Sequence, residues 1–269
     1  MRKLAILLAV AAAAVAALSP ALSSVSSVSS SVPRSSDSAY QLLQMNLCLS
    51  GQAGCYSSTT HRSILDEATG QIADEDPEAV TVNEVCRADA AELARRTGYE
   101  LSFAAVDYGG LPLPCIDPRG RGVFGIAVLT KGDITTSQEG AFSVQADPEE
   151  RRWLCATTDG AITVCTAHLS TRNNTSERDA NDAECRELER VLARHVSAGT
   201  TLFGGDLNRQ DPCAPPSMWT TRDTSATQAP GVQHIYGSTS GKEWSTSVAE
   251  ATYTDHDFLL AAAAGAPAG

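Results

Sequence analysis

The chain has 269 residues, and 32 acidic residues outnumber 20 Lys and Arg residues to give a net charge of −12 at pH 7. No cluster of Lys or Arg occurs in it, which argues against tight, salt-sensitive binding of a polyanion by a basic face. An enzyme that contacts a phosphate briefly through a metal ion is compatible with this charge. The length suits one large domain.

The first residues have the composition of a secretory signal peptide. Arg2 and Lys3 precede an apolar run over residues 4–18, and Ser19-Pro20-Ala21 supplies small residues for cleavage. We therefore predict a signal peptide over residues 1–21 and a secreted, extracellular protein. A retained membrane anchor is the alternative, which the short run and the Pro and Ser after it disfavour.

A Ser-rich stretch over residues 22–38 predicts a disordered spacer. Residues 39–264 then form a single predicted domain, in which no stretch is long and apolar enough to be a transmembrane segment. Because cleavage removes Arg2 and Lys3, the charge of the mature chain moves from −12 to about −14.

Eight cysteines follow the predicted leader, and an even number in an exported chain predicts a disulfide framework. Cys48 and Cys55 would close a short loop. Cys155 and Cys165 flank a hairpin turn signal at Thr158-Asp159-Gly160, so they are expected to face one another across two antiparallel strands. The sequence leaves the pairing of the other four cysteines open.

Short apolar runs outnumber stretches with helical spacing. Strands are predicted over residues 39–48, 79–82, 100–106, 123–130, 152–156, 161–167, 233–236 and 243–249, with further apolar runs in the stretch 200–208 and at 258–260. Helices are predicted over residues 60–74, 89–97 and 173–196, the last with a structural His195. A loop over residues 107–122 is long enough to be functional. This order predicts an α+β fold with two sheets face to face and helices outside.

Polar side chains close five of the apolar runs. Each one alone has an ordinary explanation as a strand end or helix cap, but five together favour a functional site. The Thr200–Asn208 stretch is the clearest, because two glycines deliver an acid and an amide two positions apart, on one side of an extended strand end. The residues concerned are Asn46, Glu84, His168, Asp206 with Asn208, and Asp255 with His256.

These residue types suit phosphoryl hydrolysis with a divalent metal. Carboxylate and amide oxygens are ligands for Mg²⁺ or Mn²⁺, so Glu84 is the predicted direct ligand, with Asn46 and Asp255 near the ion. His168 and His256 are expected to donate to the phosphate or transfer protons. The predicted role of Asp206 is to orient or deprotonate the attacking water, and that of Asn208 is to hold the phosphate. A zinc protease would need HExxH, and a serine hydrolase a GxSxG elbow; the sequence has neither.

Six motifs together resemble those of the endonuclease/exonuclease/phosphatase family, the deoxyribonuclease I-like superfamily: QMN at 44–46, VNEV at 82–85, GIAVLTK at 125–131, TAHLST at 166–171, GGDLN at 204–208 and TDHD at 254–257. The resemblance covers the whole predicted domain. It implies a four-layer α/β/β/α sandwich of two packed mixed β-sheets, a site at one end of the sheets, and dependence on Mg²⁺ or Mn²⁺. It also implies functional roles for the seven residues named above.

One position departs from the family pattern. The resemblance implies an Asp in the strand before the last motif that orients the final histidine, whereas this chain has Gln233 there. Gln233 is expected to contact His256 and, with His168 and Asn208, the substrate, but an amide does not stabilise an imidazolium by charge. On this interpretation, Gln233→Asp raises turnover.

The sequence thus predicts an exported, metal-dependent phosphodiesterase, with a nuclease acting on extracellular DNA as the first hypothesis. The protein is expected to be a monomer that contacts DNA transiently. A phosphomonoesterase, or a phospholipase or sphingomyelinase of the same fold, is the alternative. A sphingomyelinase is ranked lower because no exposed aromatic or apolar hairpin is evident and aromatics make up 5% of the chain. A non-catalytic binding protein is the alternative from another class.

Overall fold

Two mixed six-stranded sheets lie face to face in the computed structural model of this chain, which describes residues 40–53, 61–146, 148–239 and 244–263. The predicted signal peptide and Ser-rich spacer lie outside the described residues, and so does Cys55 with its predicted bond to Cys48. Among the described residues, no helix is long and apolar enough to cross a membrane.

The first six strands in the chain are β1 (Gln41–Asn46), β2 (Ala79–Cys86), β3 (Glu100–Ala105), β4 (Asp107–Tyr108), β5 (Leu111–Pro112) and β6 (Phe124–Thr130). The next four are β7 (Ile134–Ala141), β8 (Arg152–Thr158), β9 (Ile162–His168) and β10 (Thr200–Asp206). The last four are β11 (Trp219–Arg222), β12 (Gln233–Gly237), β13 (Trp244–Ala249) and β14 (Phe258–Ala263). The helices are α1 (His61–Glu75), α2 (Arg87–Thr97) and α3 (Thr175–Ala198). The first sheet has the order β13-β14-β1-β2-β6-β3, and the second has the order β11-β12-β10-β9-β8-β7.

Three apolar layers hold the domain together. The central strands are buried on both faces, so successive side chains of β1 point into different layers: Leu42 packs between the sheets, whereas Leu43 and Met45 pack under α1 and α2. Helix α3 covers the second sheet in the same way, through residues such as Leu188 and Leu192. This arrangement confirms the predicted α+β fold of two packed mixed sheets flanked by helices.

Two strands of the second six-stranded sheet, β7 and β11, were not predicted from the sequence, and both lie at its edges. In β7, every residue except the first and Gly140 is exposed, and β11 is a four-residue strand without a buried side chain. An edge strand with polar, solvent-facing residues lacks the apolar alternation by which a strand is recognised in a sequence. The predicted helices agree with the structure to within a few residues, and α2 ends at Gly98 in the left-handed conformation, as expected.

Three disulfides join described cysteines. Cys155 and Cys165 face each other across β8 and β9, which confirms that predicted pair. The other two bonds, Cys86–Cys115 and Cys185–Cys213, close loops with sequence separations of 29 and 28 residues. Such cross-links fit an oxidising environment.

The predicted loop over residues 107–122 contains a small hairpin, formed by β4 and β5 around Gly109-Gly110. Tyr108 and Leu111 pair across it, and both are exposed, with 51% and 72% of their surface accessible. The expectation that the chain lacks an exposed apolar hairpin is therefore wrong. Two apolar residues separated by glycines are too few to show as an apolar segment in the sequence.

Candidate active site

The site lies where two pairs of parallel strands end. Strand β1 pairs with β2 so that Asn46 is opposite Asn83, and β9 pairs with β10 so that His168 is opposite Asp206. Parallel strands end at the same edge of a sheet, and the two sheets meet at this edge because Asn46 Nδ2 donates to Asp206 Oδ2 (2.9 Å). Gly204, two residues before Asp206 in β10, permits the close approach of the sheets, since a Cβ there would overlap Thr81 Oγ1.

A cavity of about 480 Å³ opens at this edge. Six of the predicted site residues line it, namely Glu84, His168, Asp206, Asn208, Asp255 and His256. The structure therefore brings together side chains from β2, β9, β10 and the segment before β14, which are far apart in the sequence. Asn46 is buried directly behind them.

Glu84 reaches the cavity through a β-bulge. The pairing of β2 with β6 shifts register between Val82 and Val85, and Glu84 takes a left-handed backbone conformation with φ of 55°. A non-glycine residue in that region carries strain, which is held here by the surrounding strands. The bulge leaves Asn83 between the sheets and Glu84 at the cavity.

Asn46 holds two carboxylates in place. Its Nδ2 donates to Glu84 Oε1 (3.0 Å) and to Asp206 Oδ2, while its Oδ1 accepts from the backbone N–H of Cys48 (3.1 Å). The amide oxygen, which the sequence analysis assigned to a metal ion, is thus engaged with the backbone. In this arrangement Asn46 orients Glu84 and Asp206.

Asp206 and His256, which both line the cavity, form an ion pair in which Asp206 is fully buried and His256 partly buried. His256 Nε2 lies 3.2 Å from Asp206 Oδ2, and its Nδ1 lies 3.0 Å from Asp255 Oδ1. Burial lowers the pKa of His256, but these hydrogen bonds outweigh that effect and raise the pKa to about 11. Although burial disfavours its charge, the hydrogen bonds from His256 and Asn46 hold the pKa of Asp206 well below its ordinary value. His256 is therefore an imidazolium and Asp206 a carboxylate near neutral pH.

His168 is held in the neutral form. Burial, followed by the neighbouring guanidinium of Arg151, lowers the pKa of His168 to about 3. Nη1 of Arg151 lies 3.1 Å from Nδ1 of His168, and Nδ2 of Asn208 lies 3.2 Å from its Nε2, so a donor group lies beside each ring nitrogen. Nε2 also lies 3.7 Å from Glu84 Oε1.

The charge around Glu84 suits a divalent cation. Burial raises the pKa of Glu84 to about 7, and the carboxylates of Asp255 and Asp206 add to the effect, while the Asn46 hydrogen bond opposes it. A cation beside Glu84 would offset this cost. Glu84 and Asp255 both line the cavity and offer the hard oxygen atoms that Mg²⁺ and Mn²⁺ bind.

A tight cluster of ligands is found elsewhere. Within the described ranges, one group of three Cys, His or acidic side chains has its ligand atoms within 4.8 Å of one another, and it consists of Cys155, Cys165 and His195. Its two sulfur atoms are already joined in a disulfide. The acidic groups of the described cavity are therefore spaced more widely than the ligand atoms of this cluster.

Gln233 does not reach the cavity. It is fully buried next to Asp206 in the register of β10 and β12, and its Nε2 donates to the backbone oxygen of Asp257 and to Asp223 Oδ2 (3.4 Å). Its Oε1 accepts from Gln44 (3.3 Å). The structure therefore gives Gln233 partners other than His256, and the partners of His256 are Asp206 and Asp255.

Two features of the site were missed in the sequence. Arg151 is the only Lys or Arg that lines the described cavity, and it forms an ion pair with Glu149 (3.0 Å). The Arg151-Arg152 doublet at the start of a strand could have indicated a basic side chain at the site, because neighbouring residues of a strand point to opposite faces. Asn83 was also missed; its Oδ1 accepts from the backbone N–H of Asp206 (2.8 Å), and its position follows from the bulge, which the sequence does not indicate.

Several solved structures share this fold. The chain is similar to an endonuclease/exonuclease/phosphatase from Beutenbergia cavernae DSM 12333, with a TM-score of 0.65, 17% identity, and coverage of 84% of this chain and 71% of that one. It is also similar to truncated Caenorhabditis elegans TDP2 (TM-score 0.60, 15% identity, coverage 84% and 97%). A third similar structure is the human Nocturnin catalytic domain with bound sulfate anion (TM-score 0.62, 13% identity, coverage 83% and 92%).

No protein-family model matches the chain, and no curated protein matches it. At these identities the structural likeness establishes the fold. The chain therefore has the fold of the endonuclease/exonuclease/phosphatase proteins.

Proposed function

We propose that this chain is a divalent-metal-dependent phosphodiesterase, exported from the cell, and that it acts as a nuclease on extracellular DNA. The observation that carries the proposal is the pairing of the Asp206 carboxylate with the His256 imidazolium beside Glu84 in one cavity. This arrangement presents a hydrogen-bond acceptor for a water and a fixed positive charge for a phosphate. The shared fold supports the same class of reaction.

The chain's own residues divide the work as follows. Asp206, ionised and held by Asn46 and His256, accepts a hydrogen bond from the attacking water and aligns it. The amide of Asn208 donates to a phosphate oxygen, Arg151 supplies a positive charge on the same side, and the neutral ring of His168 lies between these two groups and positions them. These donors are fixed before the substrate binds, so little reorganisation accompanies the reaction.

Glu84 and Asp255 are the residues that would hold Mg²⁺ or Mn²⁺. A bound divalent ion would supply Lewis-acid stabilisation of the charge that develops on the phosphate and leaving oxygen. Asn46 fixes the orientation of Glu84 from behind.

The test is hydrolysis of single-stranded DNA and of supercoiled plasmid DNA by the disulfide-intact protein with Mg²⁺ or Mn²⁺, beside Glu84→Gln and His256→Asn. His195→Asn is the matched control, because His195 lies on α3 and not at the cavity. We expect DNA cleavage by the unmodified protein and the control, and its loss with EDTA or with either site variant.

Parallel assays separate the alternatives. Nicking that persists in both site variants would contradict the assigned site. Turnover of a phosphomonoester without action on DNA would make the protein a phosphomonoesterase. Metal binding without turnover of any phosphoester would indicate a binding protein that has retained the fold.

A further inference from the structure

The hairpin of β4 and β5 lies at the rim of the cavity and is fixed there by backbone pairing. Its turn residues Gly109 and Gly110 have φ values of 60° and 82°, which a tight hairpin turn requires. Gly109 N donates to Pro148 O (2.7 Å), and Glu150 N donates to Asp107 O (2.8 Å). The hairpin is thus tied to the segment that leads into Arg151 and β8.

One wall of the cavity is apolar. Tyr108, Leu113 and Phe124 line it, on the same cavity as the polar groups around Asp206. The side chains of Leu113 and Phe124 are buried and pack against other residues of the domain, whereas the Tyr108 side chain is half-exposed and has surface free for a ligand. Leu111 is opposite Tyr108 in the hairpin, and residues directly opposite in an antiparallel pair project to the same face. Together they form an exposed apolar surface continuous with the cavity.

The scarcity of basic side chains along the cavity restricts the kind of substrate that binds beside this surface. Arg151 is the only Lys or Arg along the described cavity, whereas Glu149 and Asp255 also line it. A duplex held by its phosphates needs a row of basic side chains. A substrate of this site has to gain affinity from a group other than further phosphates, and the exposed aromatic face is suited to a planar ring. Stacking of a base on an aromatic side chain is independent of sequence and of basic residues.

We propose that Tyr108, with Leu111 beside it, is a stacking platform for an unpaired nucleobase next to the scissile phosphate. The preferred substrate is then a single-stranded or short oligonucleotide, because the bases of a duplex are already stacked on each other. This inference rests on the proposed phosphodiesterase function and specifies its substrate. Two exposed side chains with acidic neighbours are a weaker match to a lipid surface, which is bound through larger apolar areas and basic residues.

The test measures kcat/KM for a single-stranded trinucleotide, for the same trinucleotide with abasic spacers on both sides of the scissile phosphate, and for a duplex. Tyr108→Ala is compared with Tyr108→Phe, which retains the ring, and with Val144→Ala, an exposed apolar residue that does not line the cavity. Stacking is worth about 1–3 kcal/mol per base, so Tyr108→Ala is expected to lower kcat/KM on the trinucleotide about 5- to 150-fold. On the abasic substrate we expect no change, and Tyr108→Phe and Val144→Ala should resemble the unmodified protein.

Binding is measured separately, by fluorescence anisotropy of a labelled phosphorothioate trinucleotide in EDTA. Tyr108-dependent binding without turnover of any phosphodiester would defeat the proposed function while supporting the platform. Turnover that is equally fast on the abasic substrate, or unaffected by Tyr108→Ala, would overturn the platform while leaving the proposed function intact. Tyr108-dependent binding to phosphatidylcholine vesicles, with no preference for the base-bearing substrate, would overturn it in favour of a lipid.

Discussion

Replacing Gln233 by Glu tests the buried amide behind the cavity. The substitution keeps the side-chain length and replaces the Nε2 donor by an oxygen. That oxygen would face Asp223 Oδ2 and the backbone oxygen of Asp257, both of which are acceptors. Burial has already raised the pKa of Asp223 to about 6, although its hydrogen bonds from Gln233 oppose the shift. A second carboxyl group here adds a charge, and the oxygen that replaces Nε2 has no donor.

The expected cost is large and depends on pH. A buried charge without a partner lowers the free energy of unfolding by roughly 3–5 kcal/mol, and loss of the Nε2 donor of Gln233 accounts for about 1–3 kcal/mol of this. An acid whose folded-state pKa is raised contributes stability below its unfolded pKa and loses it as pH rises through the folded value. The free energy of unfolding of Gln233→Glu should therefore fall furthest below that of the unmodified protein above about pH 7, and the gap should narrow towards about pH 5.

Urea unfolding followed by circular dichroism at these two pH values measures the effect, with Gln138→Glu as control. Gln138 lies on the exposed edge strand β7, so the same chemical change there should be nearly neutral. A Gln233→Glu protein as stable as the control at both pH values would refute the assigned hydrogen bonds.

The same reasoning reverses the sequence-based expectation for Gln233→Asp. Residue 233 is paired with Asp206 in the sheet, so a disturbed backbone there moves Asp206, and we expect lower stability and lower turnover. The double variant Asp223→Asn/Gln233→Asp exchanges acid and amide and should recover part of the loss. A Gln233→Asp protein that is both stable and faster would restore the original interpretation.

Further expectations concern single positions. Because the pKa of Asp223 is raised in the folded state, the unfolding free energy of the unmodified protein should fall by up to about 3 kcal/mol as pH rises from about 4 to about 7. Asp223→Asn should remove this fall, as measured by urea titration, and an unchanged pH profile would count against the raised pKa. Gly204→Ala should destabilise by about 1–3 kcal/mol, because its Cβ would overlap the facing sheet, whereas Gly160→Ala has no neighbour closer than 3.7 Å and serves as the control. Arg151→Met should lower kcat/KM for a phosphodiester about 100-fold, and Arg152→Met, whose guanidinium contacts Glu150 instead of the cavity, should not; equal losses would contradict a role for Arg151 at the phosphate.

The sequence predicted those parts of the site that end apolar strands. Asn46, His168 and Asp206 could be found because a buried run followed by a polar residue is visible without knowledge of the tertiary structure. Glu84 was found in the same way, but the bulge that directs it into the cavity leaves no local signal.

Features that depend on pairing between distant segments could not be predicted. Gln233 has the position expected of a residue that contacts His256, yet its partners come from the β11–β12 connection and the segment before β14. Strand β7 was missed because its side chains face solvent. The hairpin with Tyr108 was missed because two exposed apolar residues in a glycine-rich loop resemble any irregular segment.

The Cys86–Cys115 disulfide has a consequence for how the protein would respond to its surroundings. Cys86 ends β2 two residues after Glu84, and Cys115 follows the hairpin by three residues. One covalent bond therefore fastens both the segment that carries the proposed metal ligand and the segment that carries the proposed base platform. A reductant that opened this bond would free both segments, so the hydrolysis rate and the substrate selectivity would fall together. A thiol reductant would therefore inactivate the protein instead of leaving a fast but unselective hydrolase.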